Sequence, residues 1–284
     1  MSLLGLLNIG KSALFSSQAA LNVVNHNIAN VNTPGYTRQE AILEIATPIV
    51  PVPGGFLGTE VHVAGIERRY DRFIGAQLLG QEQNYGKSSA MDQVLGQVEQ
   101  VFNDAGGGGL SKDLNAFFDS WKAVSANPED PAQRTVLLSR ANSLVSTARR
   151  MESDLLGTVK EVNGEIADVA GRVNAIANDI ARLNARIVEV EGGSGTAKAN
   201  DLRDARDQLV SELSGLVDVA TREDQNGSLT VTVGMRNLVD GERVNALSTV
   251  QGADGEPGLA IDGVDVTSRV VNGRLGGLLA SRSA

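Results

Sequence analysis

The chain has 284 residues, a formal net charge of −9 and no cysteine. That charge excludes the clustered positive surface that nucleic acid or an anionic membrane requires, and the missing thiols exclude a disulfide framework or a thiolate metal site. Hydrophobic residues reach 42% but aromatics only 4%, with 32 glycines; this suits small-residue helix packing and turn-rich β structure, not a large enzyme core.

Leu7, Leu14, Leu21 and Ile28 recur every seven residues, with Leu3, Val24 and Val31 in part of a second seam. The heptad predicts a helix with one narrow apolar stripe that needs a partner helix. Its other faces carry Asn, Ser and Gln, and Lys11 is the one full charge before Arg38. Alone it is expected to be marginal or disordered, because the cost of ordering it is met only by packing. Thr33-Pro34-Gly35 stops it. Gly5 to Ser12 spell G-x-x-x-x-G-K-S, but no strand can precede them and Leu7 lies in the seam, so a phosphate-binding loop is rejected on context. The start also lacks the basic and apolar regions of a cleavable secretory signal, and no apolar run approaches a bilayer span.

From Gln39 the pattern turns extended. Residues 41–45 and Val61-His62-Val63 read as two strands, while Pro48, Pro51, Pro53 and Gly54-Gly55 forbid a helix between them. Lone His62 reads as a surface strand residue. A long helix follows from about Arg69 to Asn103, its stripe opened by Tyr70, Phe73, Ile74 and Leu78 and continued by Met91, Leu95, Val98 and Phe102. Four glycines from Gly106 end it. A short helix then carries Leu114, Phe117, Phe118, Trp121 and Val124, expected to form a local hydrophobic anchor.

Asp130 and Pro131 suit the cap and first turn of another helix. Leu155, Val159, Val162, Ile166, Val169, Val173, Ile176, Ile180, Leu183, Ile187 and Val190 then step by four and three without a miss. That repeat predicts a coiled coil, and Leu138, Ala141, Val145 and Ala148 extend it upstream. A continuous helix from Pro131 to Val190 would run roughly 90 Å. Glycines near residue 193 reverse the chain into a helix from Asn200 that buries Leu202, Ala205, Leu209, Leu213 and Leu216. The charged residues Arg203, Asp204, Arg206 and Asp207 read as its solvated face. Beyond Val217, period-two alternation over Ser228–Val233 and the turn signals Asp240-Gly241 and Asp262-Gly263 predict a small β-rich region.

Residues 29–36, Ala-Asn-Val-Asn-Thr-Pro-Gly-Tyr, resemble the A-N-x-x-T-x-G-[YF] signature of bacterial flagellar rod, hook and hook-associated subunits. Arg69-Tyr70-Asp71-Arg72-Phe73, Asn115-Ala116-Phe117-Phe118, Asn127-Pro128-Glu129-Asp130 and residues 200–213 sharpen this towards the hook-associated protein 1 family. Residues 273–278 resemble that family's return sequence. The resemblance implies a subunit that leaves the cytoplasm through the flagellar type III export apparatus with an export chaperone, without a cleavable signal peptide. It also implies self-assembly into an axial ring between the hook protein and a second junction protein on the filament side. Members continue beyond such a return sequence, so the chain is expected to be an N-terminal portion lacking the terminal helix that pairs with the first.

The expected architecture is mainly α: an elongated antiparallel coiled-coil or helical bundle, with a small β excursion near the N-terminus and a partial β-rich domain at the C-terminal end. Four parts are expected: an assembly helix and bend at 1–38, the β excursion at 39–68, a helical rod at 69–217, and the β-rich and return segment at 218–284. Leu7, Leu14, Leu21, Val24 and Ile28 are the expected packing residues, and Asn30, Thr33, Pro34, Gly35 and Tyr36 the bend. No catalytic, cofactor or metal site is expected, since two distant histidines and no cysteine offer no nucleophile–base or metal constellation. The rival class is a soluble coiled-coil adaptor that oligomerises through residues 131–190.

Overall fold

A computed structural model describes residues 3–45, 50–52, 55–57, 60–102, 109–194, 197–252 and 256–283. The expected turns at Pro48 and Pro53-Gly54, the glycines at 106–108 and Gly195 lie outside the described residues. The chain runs α1 (Leu3–Ala29), β1 (Gln39–Ile45), β2 (Val50–Val52), β3 (Gly55–Leu57), β4 (Val61–Arg68), α2 (Arg72–Val101), α3 (Leu110–Ala126), α4 (Pro131–Ser194) and α5 (Asn200–Leu216). It continues through β5 (Ala220–Glu223), β6 (Leu229–Val233), β7 (Arg236–Asp240), β8 (Arg243–Val244), β9 (Leu247–Gln251), β10 (Pro257–Ile261) and β11 (Val264–Asp265) to a 3-10 turn (Thr267–Arg269) and α6 (Gly273–Arg282). No described helix is long and apolar enough to cross a membrane.

The long helix α4 has 64 residues, about 96 Å at 1.5 Å per residue. Val162, Ile166, Val169, Val173, Ile176, Ile180 and Ile187 of its seam are buried, while Leu155, Val159 and Leu183 are half-buried and Val190 is exposed. What covers them is the same chain: α2, α5, α6 and the β-rich region all pack on α4, and one apolar core runs through the helices and both C-terminal sheets. The adaptor rival needs that seam free for another chain, so the intramolecular cover counts against it.

Two sequence readings are corrected here. Upstream of Leu155 the seam does not continue: α4 turns Leu137, Leu144 and buried Thr147 towards α3, leaving Leu138 and Val145 exposed. The short helix α3 packs on α4 with Ser120 buried, and Thr147 Oγ1 donates to Asp113 Oδ2 at 2.6 Å. Its Phe118 and Trp121 are more than half exposed, so they do not form a buried anchor.

The β-rich region is stitched to the side of α4 by two asparagines. Asn174 Nδ2 donates to the Leu247 carbonyl and its Oδ1 accepts from Leu247 N–H, at 2.8 and 2.7 Å. Asn184 does the same with Leu229 at 2.8 and 3.1 Å, and also donates to the Gly241 carbonyl. A carboxamide copies the donor–acceptor pair of a backbone unit, so each satisfies a strand end on the helix surface. Sheet order is β5-β6-β7-β8 in one antiparallel sheet and β11-β10-β9 in the other.

The return helix α6 fits because its glycines allow close approach. Gly277 faces α2 so tightly that a Cβ there would lie 2.4 Å from the Lys87 carbonyl oxygen and 2.8 Å from Ala90 Cβ. Gly277→Ala is therefore expected to cost about 1–3 kcal/mol by overpacking, read as a lower urea midpoint at unchanged slope. An unchanged midpoint would show that α2 and α6 are not in this contact.

Candidate functional site

The first helix lies on the protein with a face of mixed, mostly small residues inward. Ser16 and Val23 are buried, and Ile9, Ser12, Ala19, Ala20 and His26 are half-buried. This face rests on β1 and β4, where Ser16 Oγ donates to the Val61 carbonyl at 2.9 Å. β1 and β4 pair antiparallel, with a register shift between Ile42 and Leu43. The leucines point the other way. Leu7, Leu14, Leu21, Val24 and Ile28 are 49–70% exposed, and Val31 follows them at 72%. An apolar row of this length turned to water marks a contact surface, where scattered single residues would not. The segment from Gly5 to Ser12 is continuous helix, so no phosphate-wrapping loop exists there.

The end of α1 is sewn to the start of β1. Asn27 Nδ2 donates to the Gln39 carbonyl while Asn27 Oδ1 accepts from Gln39 N–H, both at 2.9 Å. Tyr36 Oη donates to the same Oδ1 at 2.8 Å, and His26 Nδ1 lies 3.0 Å from Tyr36 Oη. With the phenol proton committed to Asn27, that last bond requires a proton on His26 Nδ1. Asn30 closes the helix by donating to the His26 carbonyl and accepting from Thr33 Oγ1, at 3.0 and 3.2 Å. Tyr36 N–H returns to the Thr33 carbonyl. Pro34 is exposed. Gly35 has φ +78°, with Gln208 Oε1 3.1 Å from where a Cβ would stand; glycine takes that left-handed conformation without strain.

This bend docks on α5. Thr37 N–H donates to Asp204 Oδ2 at 3.0 Å, and Gln39 Nε2 donates to Asp201 Oδ1 at 2.8 Å. Arg68 Nη1 bridges Asp204 Oδ1 and Asp207 Oδ2, at 2.6 and 2.8 Å. Burial opposes the Arg68 charge, but Asp207 and Asp204 outweigh it and raise its pKa. Burial raises the Tyr36 phenol, and Asp201 and Asp204 add to the shift. The charged face of α5, expected to be solvated, is therefore a junction: Asp204 and Arg206 are 6% and 1% exposed. On its other side Arg206 donates to Asn184 Oδ1, the Gly227 carbonyl and Glu223, and Arg203 pairs with Glu191 and Glu223.

The expected bend residues thus fall together, beside the partly covered α1. Asn27, His26, Arg68, Asp201 and Asp204 were not among the expected site residues. The legible signal was three aspartates at 201, 204 and 207, spaced to share one face of a helix. Among the described residues no group of three or more His, Asp or Glu could hold a metal ion.

Helix α1 thus turns an apolar stripe to solvent while the T-P-G-Y bend fixes it to the helical rod. Two family models match successive stretches: "Flagella basal body rod protein" over residues 7–37 and "Flagellar hook-associated protein FlgK helical domain" over residues 95–284. The class is that of flagellar axial proteins. Curated relatives called flagellar hook-associated protein 1 align over 98% of the chain, 36% identical in Salmonella typhimurium and 32% in Escherichia coli. The Bacillus subtilis protein of that name is 30% identical over 78% of the chain. The solved flagellar hook junction protein FlgK from Burkholderia pseudomallei superposes with a TM-score of 0.61 at 26% identity, covering 73% of this chain and 39% of that one. The chain belongs to the flagellar hook-associated protein FlgK family. It spans 52% of the Salmonella typhimurium relative's length.

Proposed function

We propose that the protein is a structural, non-enzymatic subunit of the junction between flagellar hook and filament, and that it acts outside the cell after export without a cleavable signal peptide. The observation that carries this reading is the exposed row Leu7, Leu14, Leu21, Val24 and Ile28 on a helix whose opposite face is docked. In this reading residues 1–38 are the assembly arm. The hairpin at 39–68 and the bend Asn30, Thr33, Pro34, Gly35 and Tyr36 fix the arm's angle. The seam from Leu155 to Val190 stiffens the rod at 69–217, and residues 218–284 brace it. Its partners are other copies in an axial ring, the hook protein on one side and a second junction protein on the other. An export chaperone and the type III export apparatus deliver it. A thin-striped helix with few contacts to the rest of the chain is suited to unfolding for passage through a narrow channel.

Leu14→Asp with Leu21→Asp tests this. Both side chains are more than half exposed, so the double variant is expected to stay within about 0.5 kcal/mol of the parent. It is also expected to be secreted yet missing from isolated hook–filament structures. Normal incorporation of the variant would remove α1 as the assembly surface.

A further inference from the structure

The arm and the hairpin are built as one body. Asn27 joins the end of α1 to β1 through Gln39, and Ser16 joins its middle to β4 through the Val61 carbonyl. β1 and β4 pair from Gln39 with Arg68 to Ile45 with Val61. At the foot of the hairpin Arg69 N–H donates to the Arg38 carbonyl at 2.8 Å, and the Arg69 side chain pairs with Glu40. The T-P-G-Y bend lies inside this body, since Tyr36 Oη and Thr33 Oγ1 both donate back to side chains at the end of α1. The bend therefore holds α1 to the hairpin. It is not where the pair would turn on the rod.

The seam between this body and the rod is of another kind. Among the described residues, the apolar core that joins the helices to the C-terminal sheets contains nothing before Leu79. What crosses the seam is polar and runs to α5. Asn200 Nδ2 donates to the Ile66 carbonyl at 2.8 Å, Asp201 accepts from Gln39, and Asp204 and Asp207 accept from Arg68. Such bonds exchange for bonds to water at small net cost when no apolar area is exposed with them, so a seam of this make opens before either body unfolds. Asp204 stands at its centre. Its Oδ2 accepts from Thr37 N–H ahead of β1 and its Oδ1 from Arg68 at the end of β4, so one buried carboxylate holds both feet of the hairpin. The chain itself crosses to the rod at Tyr70 and Asp71, which are exposed and belong to neither strand nor helix.

We propose that Asp204 is the positioning residue of the arm: residues 3–68 turn on the rod as one rigid body about Tyr70 and Asp71, and the Asp204 carboxylate latches them against α5. Residues between two elements are where a hinge absorbs its change in backbone angle. Release re-aims the solvent-facing stripe of α1 without unmaking it. The motion belongs to the free chain and needs no assembly partner, so it is tested apart from the axial-subunit reading.

Asp204→Asn is the sharpest variant. It keeps the shape, but a carboxamide has one acceptor oxygen where the carboxylate has two, so its NH2 must face either Thr37 N–H or Arg68, donor against donor. With no natural cysteine in the chain, spin labels can be placed selectively. Ala13→Cys on α1 is paired with Glu67→Cys on β4 to report within the body, and with Glu189→Cys on α4 to report across the seam; all three positions are exposed. Ala13 stands about 20 Å along α1 from Asn27, whose partner Gln39 lies beside Glu67 across the hairpin, a span that double electron–electron resonance resolves. Both distances are expected to be narrow in the parent. In Asp204→Asn the width of the 13–189 distribution should at least double while that of 13–67 stays unchanged. Arg68→Gln leaves α5 untouched and should broaden the same distance, so the outcome does not hang on Asp204→Asn staying folded. Equal 13–189 widths in parent and variants would overturn the latch, and a 13–67 width that grows in step would overturn the rigid body.

Discussion

Arg206→Ala is expected to destabilise the protein by about 3–5 kcal/mol, the range for removing one partner of a buried, hydrogen-bonded charge, and to lower Tm by roughly 10 °C. Arg206 is 1% exposed and joins three parts of the chain: Asn184 on α4, the turn carbonyl of Gly227, and Glu223 on β5. Truncation leaves the Gly227 carbonyl and the Asn184 carboxamide short of a donor in a site that water cannot refill. Glu223 keeps Arg203, so the loss is not that of a fully orphaned carboxylate. The damage should reach the bend as well. Arg206 braces one side of α5 while Asp204 on the same helix receives Thr37 N–H, so the Thr37 amide should exchange faster in the variant. Arg206→Met refills the volume without the donors and should recover only the packing part. A loss below 1 kcal/mol for the alanine variant would mean that this charge cluster does not organise the helix.

The contrast between Arg206 and the α4 seam shows what the sequence could and could not disclose. Eleven apolar positions in unbroken steps of four and three declare a long helix locally, whatever packs on it. The strands were legible for the same reason, since Leu229, Val231 and Val233 alternate with threonines and are buried in alternation. The role of α5's charges is not local. Arg68 and Thr37 stand 136 and 167 residues from Asp204, and no short-range pattern distinguishes an aspartate that meets them from one that meets water. The upstream part of α4 failed for a subtler reason. Apolar residues occupy two adjacent rows there, Leu137 with Leu144 and Leu138 with Val145, and periodicity cannot say which row α3 will choose. The α1 stripe was legible as apolar; that the face opposite it would be the docked one follows from Ser16, Asn27 and His26 finding partners on the hairpin and bend.

Acid should loosen the protein through Glu191, by up to about 3 kcal/mol between pH 4.5 and 2. Burial alone would raise this carboxyl. Arg203 and the Ala199 N–H hydrogen-bond it, the Arg203 and Lys198 charges add to them, and its pKa falls from 4.5 to about 2. The side chain is 9% exposed, so solvent screens these contacts little. Since the folded pKa lies below the unfolded one, the native state holds the charged form more tightly. The resulting stability is complete above pH 4.5 and is lost as pH falls through about 2. Glu191 stands near the end of α4 and accepts from Ala199 N–H at 3.0 Å, just before α5 begins. It therefore closes the α4–α5 reversal and aims Asp201 and Asp204 at the bend. Urea unfolding of the parent and Glu191→Gln at successive pH values isolates the effect from other carboxylates: the two stability curves should lie farthest apart above pH 4.5 and converge near pH 2. Parallel curves across that interval would show that Glu191 is not held by Arg203 in solution, and the reversal would then depend on packing alone.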